Sequence, residues 1–157
     1  MKIREARRED VKPIASLNQQ LNNYHLQFDD YYGLRPNSED TTIKHIDDMV
    51  TSEDSIVLVA EDKGTVVGYL AGKIGKRPPV FEVDKRGEIW SGYVLEEHRG
   101  HGVGRELTER MLRRFKEGGI EYVELSVDSR NELGCKVWKS LGFETFQFKM
   151  IRRIRKR

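Results

Sequence analysis

The chain has 157 residues, of which 37% are hydrophobic and 34% charged. This length and apolar content predict a single domain over residues 1–157, with a core of ordinary size. The apolar runs are too short to cross a bilayer, and the charged first ten residues lack a signal core, so we expect a cytoplasmic protein without membrane contact. A single cysteine excludes an internal disulfide, and the four histidines lack metal-ligand spacing, so no metal is predicted.

The net charge of +2 is unevenly distributed along the chain. Residues 149–157 include six basic residues and no acidic one, which leaves 22 basic and 26 acidic residues before them. Apolar residues are interleaved with this basic segment: Phe146, Phe148, Ile151 and Ile154. We interpret it as a final strand with a solvated face rather than a nucleic-acid arm, and as a candidate for pairing across a homodimer.

The first half of the chain predicts a strand, two helices and a hairpin. Residues 2–6 alternate as a strand does, and Asp10 and Ser38 are predicted to cap the two helices that follow. The apolar residues of these helices recur at helical spacing: Val11, Ile14, Ala15, Leu17 and Leu21, then Ile43, Ile46, Met49 and Val50. Residues 55–60 and 65–74 are predicted as hairpin strands, with a loop over 75–87.

The second half alternates strands and helices. Strands are predicted over residues 88–95 and 120–127, a helix over 103–117 that Gly118 and Gly119 terminate, a helix over about 132–141, and a last strand from Phe143 onward. The resulting order is βααβββαβαβ, an α/β fold. A right-handed crossover makes the strands 88–95 and 120–127 parallel neighbours, and ligands of such sheets bind at the carboxyl ends of the strands.

The most informative motif is Arg-Gly-His-Gly-Val-Gly at residues 99–104, between a predicted strand and a predicted helix. Glycines allow a tight turn and close approach of a ligand, and the helix that follows begins with unpaired amides and a positive dipole end. The motif therefore predicts a phosphate site, although a simple strand-to-helix turn has the same pattern.

The order of elements and two motifs resemble the GNAT superfamily, the acetyl-CoA-dependent N-acetyltransferases. Arg99, Gly102 and Gly104 match the family's pyrophosphate motif, Arg/Gln-x-x-Gly-x-Gly/Ala. A second signature, an asparagine, a small residue, an aromatic and then Gly-Phe, is matched by Asn131, Gly134, Trp138, Gly142 and Phe143. The resemblance covers nearly the whole chain. It implies a mixed central sheet that is splayed between the strands 88–95 and 120–127, with helices on both faces.

The resemblance implies that acetyl-CoA is the cosubstrate and that its pyrophosphate lies on the amides of residues 98–104. The turn residues concerned are Arg99, Gly100, His101, Gly102, Val103 and Gly104. Arg99 is expected mainly to stabilise the turn, whereas Arg105 either contacts a phosphate or is a solvated helix residue. The pantetheine arm is expected to pair with the edge formed by Tyr93, Val94 and Leu95. Asn131 either contacts the coenzyme arm or caps the next helix.

The chemistry implied is direct attack of a neutral primary amine on the thioester in a ternary complex. The amine must first lose a proton. We favour Glu88 as general base, with Glu82 and Asp84 in reserve, while an ordinary solvated glutamate is the alternative. The amide of Val94 or Leu95 is the expected oxyanion donor.

Trp138 departs from the family pattern, which most often has a tyrosine there to protonate the leaving sulfur. Indole cannot release its proton at physiological pH, so the thiolate leaves unaided or receives a proton from water, Tyr93 or another group. We expect Trp138 mainly to pack against the coenzyme arm. Cys135 is expected to be structural rather than a nucleophile.

The acceptor amine is not identified by the sequence. The connector over residues 24–36 is acidic and aromatic, and Phe28, Tyr31 and Tyr32 are candidates to contact a cationic amine, against the alternative that the rings pack on the core. The sequence leaves several acceptors open: a polyamine, an amino sugar, an amino acid, a lysine side chain or a protein N-terminus. Another class of function, a non-catalytic acyl-CoA binding or sensing module, is also open.

Overall fold

The computed structural model of the protein describes residues 1–155. They form two compact units, residues 1–126 and the chain from residue 127 onward, and each is described by itself. The first unit contains, in order, β1 (Lys2–Glu5), α1 (Val11–Leu26), α2 (Glu39–Thr51), β2 (Ser55–Asp62), β3 (Thr65–Lys76), β4 (Lys85–Val94), α3 (Val103–Glu117) and β5 (Val123–Leu125). The second contains α4 (Glu132–Ser140). Within residues 1–155, no helix combines the length and the apolar character that a membrane span requires.

The five strands form one mixed sheet in the order β1-β2-β3-β4-β5. Neighbours are antiparallel except β4 and β5, which are parallel and paired only from Gly87↔Val123 to Ile89↔Leu125. Beyond Ile89, β4 continues to Val94 along β3, while β5 ends at Leu125. The two strands therefore separate, which confirms the predicted α/β fold with a splay between these strands.

Helices cover both faces of this sheet, as predicted. On one face, α1 and α2 pack their apolar sides on inward residues of β2 and β3; this core comprises Val11, Ile14, Ala15, Leu17, Ile46, Met49, Val57, Val59, Tyr69 and Ala71. On the other face, the fully buried ring of Phe115 in α3 lies over two glycines. A Cβ at Gly87 would be 2.9 Å from that ring, and one at Gly72 3.2 Å from it. These glycines let α3 pack closely on β3 and β4.

A polar triad joins α1 to the two central strands. The hydroxyls of Tyr69 and Ser91 lie 2.5 Å apart, and Asn18 Nδ2 donates to Tyr69 at 2.9 Å and to Ser91 at 3.2 Å. Burial raises the pKa of the Tyr69 phenol, although its two hydrogen-bond partners act in the opposite direction. The triad holds the Ser91 side chain on the face of the sheet that α1 covers.

A β-bulge interrupts β4 just before this triad. Ala71 pairs with Ser91, whereas the next residue of β3, Gly72, pairs with Ile89, so Trp90 is an extra residue of β4. A bulge shifts the alternation of side chains by one residue. Glu88 and Ser91, three residues apart, accordingly both contact neighbours on the face that α1 covers.

A buried ion pair fixes the first strand to the start of α1. Arg4 donates to both carboxylate oxygens of Asp10, at 2.7 and 2.9 Å, and contacts Glu61 at 2.7 Å. Burial alone would raise the pKa of Asp10, but the hydrogen bonds from Arg4 and from the Arg7 amide hold that pKa below its ordinary value. The charged carboxylate is therefore part of the folded structure.

The structure corrects several local predictions. Asp10 and Ser38 occupy N-cap positions, but neither side chain makes a cap hydrogen bond, because both residues already have helical backbone angles. The loop predicted over residues 75–87 is shorter, since β3 and β4 extend to Lys76 and from Lys85. The strand predicted over 120–127 is also shorter: Ile120 N–H donates to the Phe115 carbonyl at 3.0 Å and so belongs to the helix ending.

The final strand predicted from Phe143 onward was wrong for residues 143–155, which form no strand; residues 156 and 157 lie outside the described chain. Phe146, Phe148 and Met150 are about nine-tenths exposed. The alternating pattern was real, but a strand also requires a partner, and the described residues supply none for this segment. The homodimer remains a prediction.

Candidate active site

The glycine turn has the backbone conformation that the motif predicts. Gly100 and Gly102 have φ angles of 76° and 83°, a region that favours glycine, and α3 begins at the next residue, Val103. Within the described chain, the first amide of this helix to donate is Glu106, which bonds to the Gly102 carbonyl at 3.0 Å. The amides of Val103, Gly104 and Arg105 precede that bond and form the positive end of the helix.

Gly104 is a glycine that neither backbone angle nor packing requires. Its φ is not positive, and a Cβ placed on it would meet no atom within 4 Å. Glycine inside a helix is less favourable than alanine by about 0.5–1 kcal/mol. The described residues thus leave an open space directly over the first turn of α3, as a ligand that approaches the backbone requires.

The cradle of amides is narrower than predicted. The amides of His98 and Arg99 donate to the carbonyls of Leu95 and Glu96, at 2.9 and 3.1 Å, and are not available to a ligand. The side chains of His101 and Arg105 are exposed. The candidate anion-binding surface is therefore limited to the turn itself and the first helical amides.

Along the end of β4, every second backbone amide points to the free edge of the strand. Leu95 N–H donates to the Val67 carbonyl of β3 at 2.9 Å, so Leu95 is not an oxyanion donor. Because hydrogen bonds alternate along antiparallel strands, the amides of Val94 and Gly92 point away from β3, into the splay. Sequence reasoning missed Gly92, since the direction of each amide depends on the register with β3.

Arg99 contacts this edge with its side chain. Its Nε donates to the Val94 carbonyl at 2.9 Å, and its guanidinium lies 5.0 Å from the centre of the Tyr93 ring. The residue therefore ties the turn to the end of β4 and places a positive charge there. The family resemblance implies a stabilising role for Arg99; this contact supports that role, which stays a prediction.

Glu88 lies on β4 within a group of charged residues. Its Oε1 contacts Arg86 at 3.0 Å, and its Oε2 lies 3.8 Å from Nζ of Lys73 and accepts from Nε1 of Trp90 at 3.3 Å. Arg86 also pairs with Glu124 of β5. The Glu88 side chain is 20% exposed. This carboxylate is thus held by neighbouring side chains and is still partly accessible to solvent. The reserve candidates, Glu82 and Asp84, lie outside the strand, as exposed residues of the β3–β4 loop.

Several aromatic rings of the connector contact one another. Tyr24 and Phe28 meet edge to face at 5.4 Å, Tyr31 and Tyr32 at 5.7 Å, and the ring of His25 lies 5.2 Å from that of Tyr32. Tyr31 is 66% exposed. These rings form a local cluster at the end of α1, and a role in acceptor binding stays a prediction.

In the second unit, Asn131 caps α4. Its Oδ1 accepts the Gly134 amide at 2.9 Å, and a Cβ at Gly134 would lie 2.6 Å from its Nδ2. The Asn131 side chain therefore explains why the residue three positions later is a glycine. Cys135 Sγ contacts the Asp128 carbonyl at 3.7 Å, and Trp138 is half-buried with its ring edge to face with Phe143 at 5.5 Å. Contacts of Asn131 or Trp138 with a coenzyme stay predictions.

Comparisons with known proteins find a matching family model and relatives that are named as acyltransferases. The model of the Acetyltransferase (GNAT) family matches residues 21–143. A mycothiol acetyltransferase of Kytococcus sedentarius is 32% identical over 111 residues, which are 70% of this chain and 35% of that protein. An L-amino acid N-acyltransferase of Escherichia coli is 30% identical over 87 residues, 55% of this chain and 49% of that protein. This chain thus spans only about a third to a half of these relatives' length.

The fold has a solved counterpart. The tetramutant of the BH1408 protein from Bacillus halodurans superposes with a TM-score of 0.86 at 26% identity, over 98% of this chain and all of that one. The family match covers well over half of the chain and includes the splayed strand, the glycine turn and the capping asparagine. This chain therefore belongs to the acetyltransferase (GNAT) family.

Proposed function

We propose that this protein is an N-acetyltransferase that transfers the acetyl group of acetyl-CoA to a primary amine in a ternary complex. The observation that carries the proposal is the junction of β4 and α3, where outward-facing strand amides lead directly into a glycine turn and a helix N-terminus. Membership of the family supports it, as do two relatives whose names state acyl transfer, a mycothiol acetyltransferase and an L-amino acid N-acyltransferase.

The residues of this junction fit acetyl-CoA. The amides of Val103, Gly104 and Arg105 suit a pyrophosphate, and the backbone of Gly104 is open to approach, since a Cβ there would meet no atom within 4 Å. The outward amides of Gly92 and Val94 suit the amides and the carbonyl of an extended acyl-pantetheine arm. When bound, acetyl-CoA supplies the thioester carbonyl that the amine attacks, with the coenzyme A thiolate as leaving group.

The chain's own residues then manage protons and charge. Glu88 accepts the proton of the acceptor ammonium, directly or through water, so that the amine has a lone pair. The Val94 amide, with Gly92 as the second candidate, donates to the carbonyl oxygen as negative charge develops on it. The thiolate leaves as an anion or is protonated by water, Tyr93 or another group, since an indole such as that of Trp138 cannot provide a proton.

The test is the release of coenzyme A thiol from acetyl-CoA with a panel of polyamines, amino sugars, amino acids, and peptides with free N-termini or lysines. We expect amine-dependent release that falls by about 10- to 1000-fold in Glu88→Gln. Glu109→Gln, an exposed glutamate in the middle of α3, is the matched control and is expected to retain the wild-type rate.

Each other outcome has a defined meaning. Equal loss in both variants, or none in Glu88→Gln, would remove Glu88 as base and leave the acetyltransferase. Tight binding of acetyl-CoA without release for any amine would instead favour the non-catalytic acyl-CoA sensing module, for which the loss of the family tyrosine at Trp138 is the supporting observation.

A further inference from the structure

A primary ammonium group of the protein itself lies beside the candidate base. Nζ of Lys73 is 3.8 Å from Oε2 of Glu88 and 5.0 Å from the centre of the Trp90 ring. The same indole donates to that oxygen through Nε1 at 3.3 Å. A carboxylate and a tryptophan face are both strong partners for an ammonium group. We call Glu88 Oε2 and the Trp90 ring together the ammonium seat.

The two oxygens of Glu88 are held with different strength. Oε1 contacts Arg86 at 3.0 Å, and Arg86 is fixed further by its ion pair with Glu124. Lys73, in contrast, lies beyond hydrogen-bond distance of Oε2, and its side chain is 40% exposed. A partly exposed ion pair at such a distance contributes little, because water competes for it and a long side chain must be ordered. Lys73 is therefore the replaceable partner.

The position of Trp90 supports a binding role for the seat. Trp90 is the extra residue of the β-bulge in β4, and it is 42% exposed. A bulge re-aims a side chain, here onto the side of the sheet where Glu88 and Lys73 lie. The result is a large, partly exposed indole that presents its face to a cation.

We propose that the ammonium seat binds the primary ammonium of the acceptor, and that Lys73 occupies the seat until the acceptor displaces it. This inference rests on the proposed function and narrows its substrate class to unhindered primary alkylammonium groups. An acceptor ammonium that approaches Oε2 to ordinary hydrogen-bond distance replaces the longer Lys73 contact, and Lys73 moves into solvent. Lys73 then acts as an internal competitor of the substrate.

Binding of n-butylammonium, followed by the fluorescence of Trp90, tests this directly. The chain has two tryptophans, so the titration is made in a Trp138→Phe background at constant salt, with and without coenzyme A. We expect Lys73→Met to bind butylammonium about two- to fivefold more tightly than its parent, because the competing charge is gone. Lys76→Met, an exposed lysine on the same strand, is the control and leaves the affinity unchanged. Neutral n-butanol produces no signal.

Equal or weaker binding of butylammonium in Lys73→Met overturns the proposal. Weaker use of amino acids alone by that variant would show that Lys73 holds an acceptor carboxylate, which also contradicts displacement. The assay of thiol release separates this inference from the proposed function. Release without the gain in Lys73→Met refutes the seat and leaves the enzyme, whereas the gain without release supports the seat and removes the catalytic proposal.

Discussion

Gly104 allows the stability of the protein and its affinity for the coenzyme to be separated. A methyl group at this position has free space and a helical backbone to accommodate it. Gly104→Ala should therefore stabilise the free protein by about 0.5–1 kcal/mol. For a chain of 157 residues, this corresponds to an increase of about 1–4 °C in the unfolding temperature.

Under the proposed function, the same methyl group would occupy the space through which a pyrophosphate reaches the amides of α3. A hydrogen bond to a charged group contributes about 1.5–3 kcal/mol, so loss of one should weaken coenzyme A binding about 10- to 150-fold. Calorimetric titration gives the affinity, and thermal unfolding with and without coenzyme A gives both effects, since the stabilisation by a ligand that binds the folded state rises with the logarithm of its affinity.

Gly64→Ala is the matched control, because Gly64 is an equally open glycine in the β2–β3 turn but has φ of 82°. A side chain in this region costs about 1–2 kcal/mol, so the control should lose stability and keep its coenzyme affinity. Wild-type affinity in Gly104→Ala would refute the assignment of the pyrophosphate to the first turn of α3. Loss of stability in that variant would refute the reasoning from free space.

Three further predictions concern residues that stabilise the fold. Asp10→Asn should lose about 1.5–3 kcal/mol of unfolding free energy at pH 7. Because the pKa of Asp10 is lowered in the folded state, this contribution is present above the unfolded-state pKa and is lost as the pH falls through the folded-state pKa. Denaturant titrations of wild type and variant should therefore converge as the pH falls below about 4. Phe115→Ala should lose about 3–5 kcal/mol, since the ring is fully buried against β3 and β4, and a loss below about 1 kcal/mol in urea unfolding would contradict this packing. Asn131→Ala should cost about 1 kcal/mol through its cap on Gly134, and Asn131→Ser should recover most of that stability if capping is the role of the residue.

Local signals in the sequence were sufficient for the helix that carries the site. The bounds predicted for α3, residues 103–117, match the structure, because a strong helical period begins at a glycine turn and ends at Gly118 and Gly119. The splay was predicted through the family resemblance, not through local signals. The final strand failed because alternation describes a side-chain pattern and does not provide a pairing partner.

Cross-strand register explains what the sequence did not reveal. Lys73 faces Glu88, and Arg86 bridges Glu88 and Glu124, only because three strands are aligned at this level. No local pattern specifies such an alignment, since a shift of one residue exchanges the faces of the sheet. The ion partners of the candidate base, the bulge at Trp90 and the outward direction of the Gly92 amide all depend on it.

The bulge in β4 also determines what a change of length in this strand would do. Residues before and after Trp90 follow opposite alternations, so deletion of this one residue would remove the bulge and place Ser91 directly after Ile89, still opposite Ala71. The amides of Gly92 and Val94 would still point away from β3, whereas the indole beside Glu88 would be lost. In a strand without a bulge, by contrast, the loss of one residue reverses the direction of every residue beyond it.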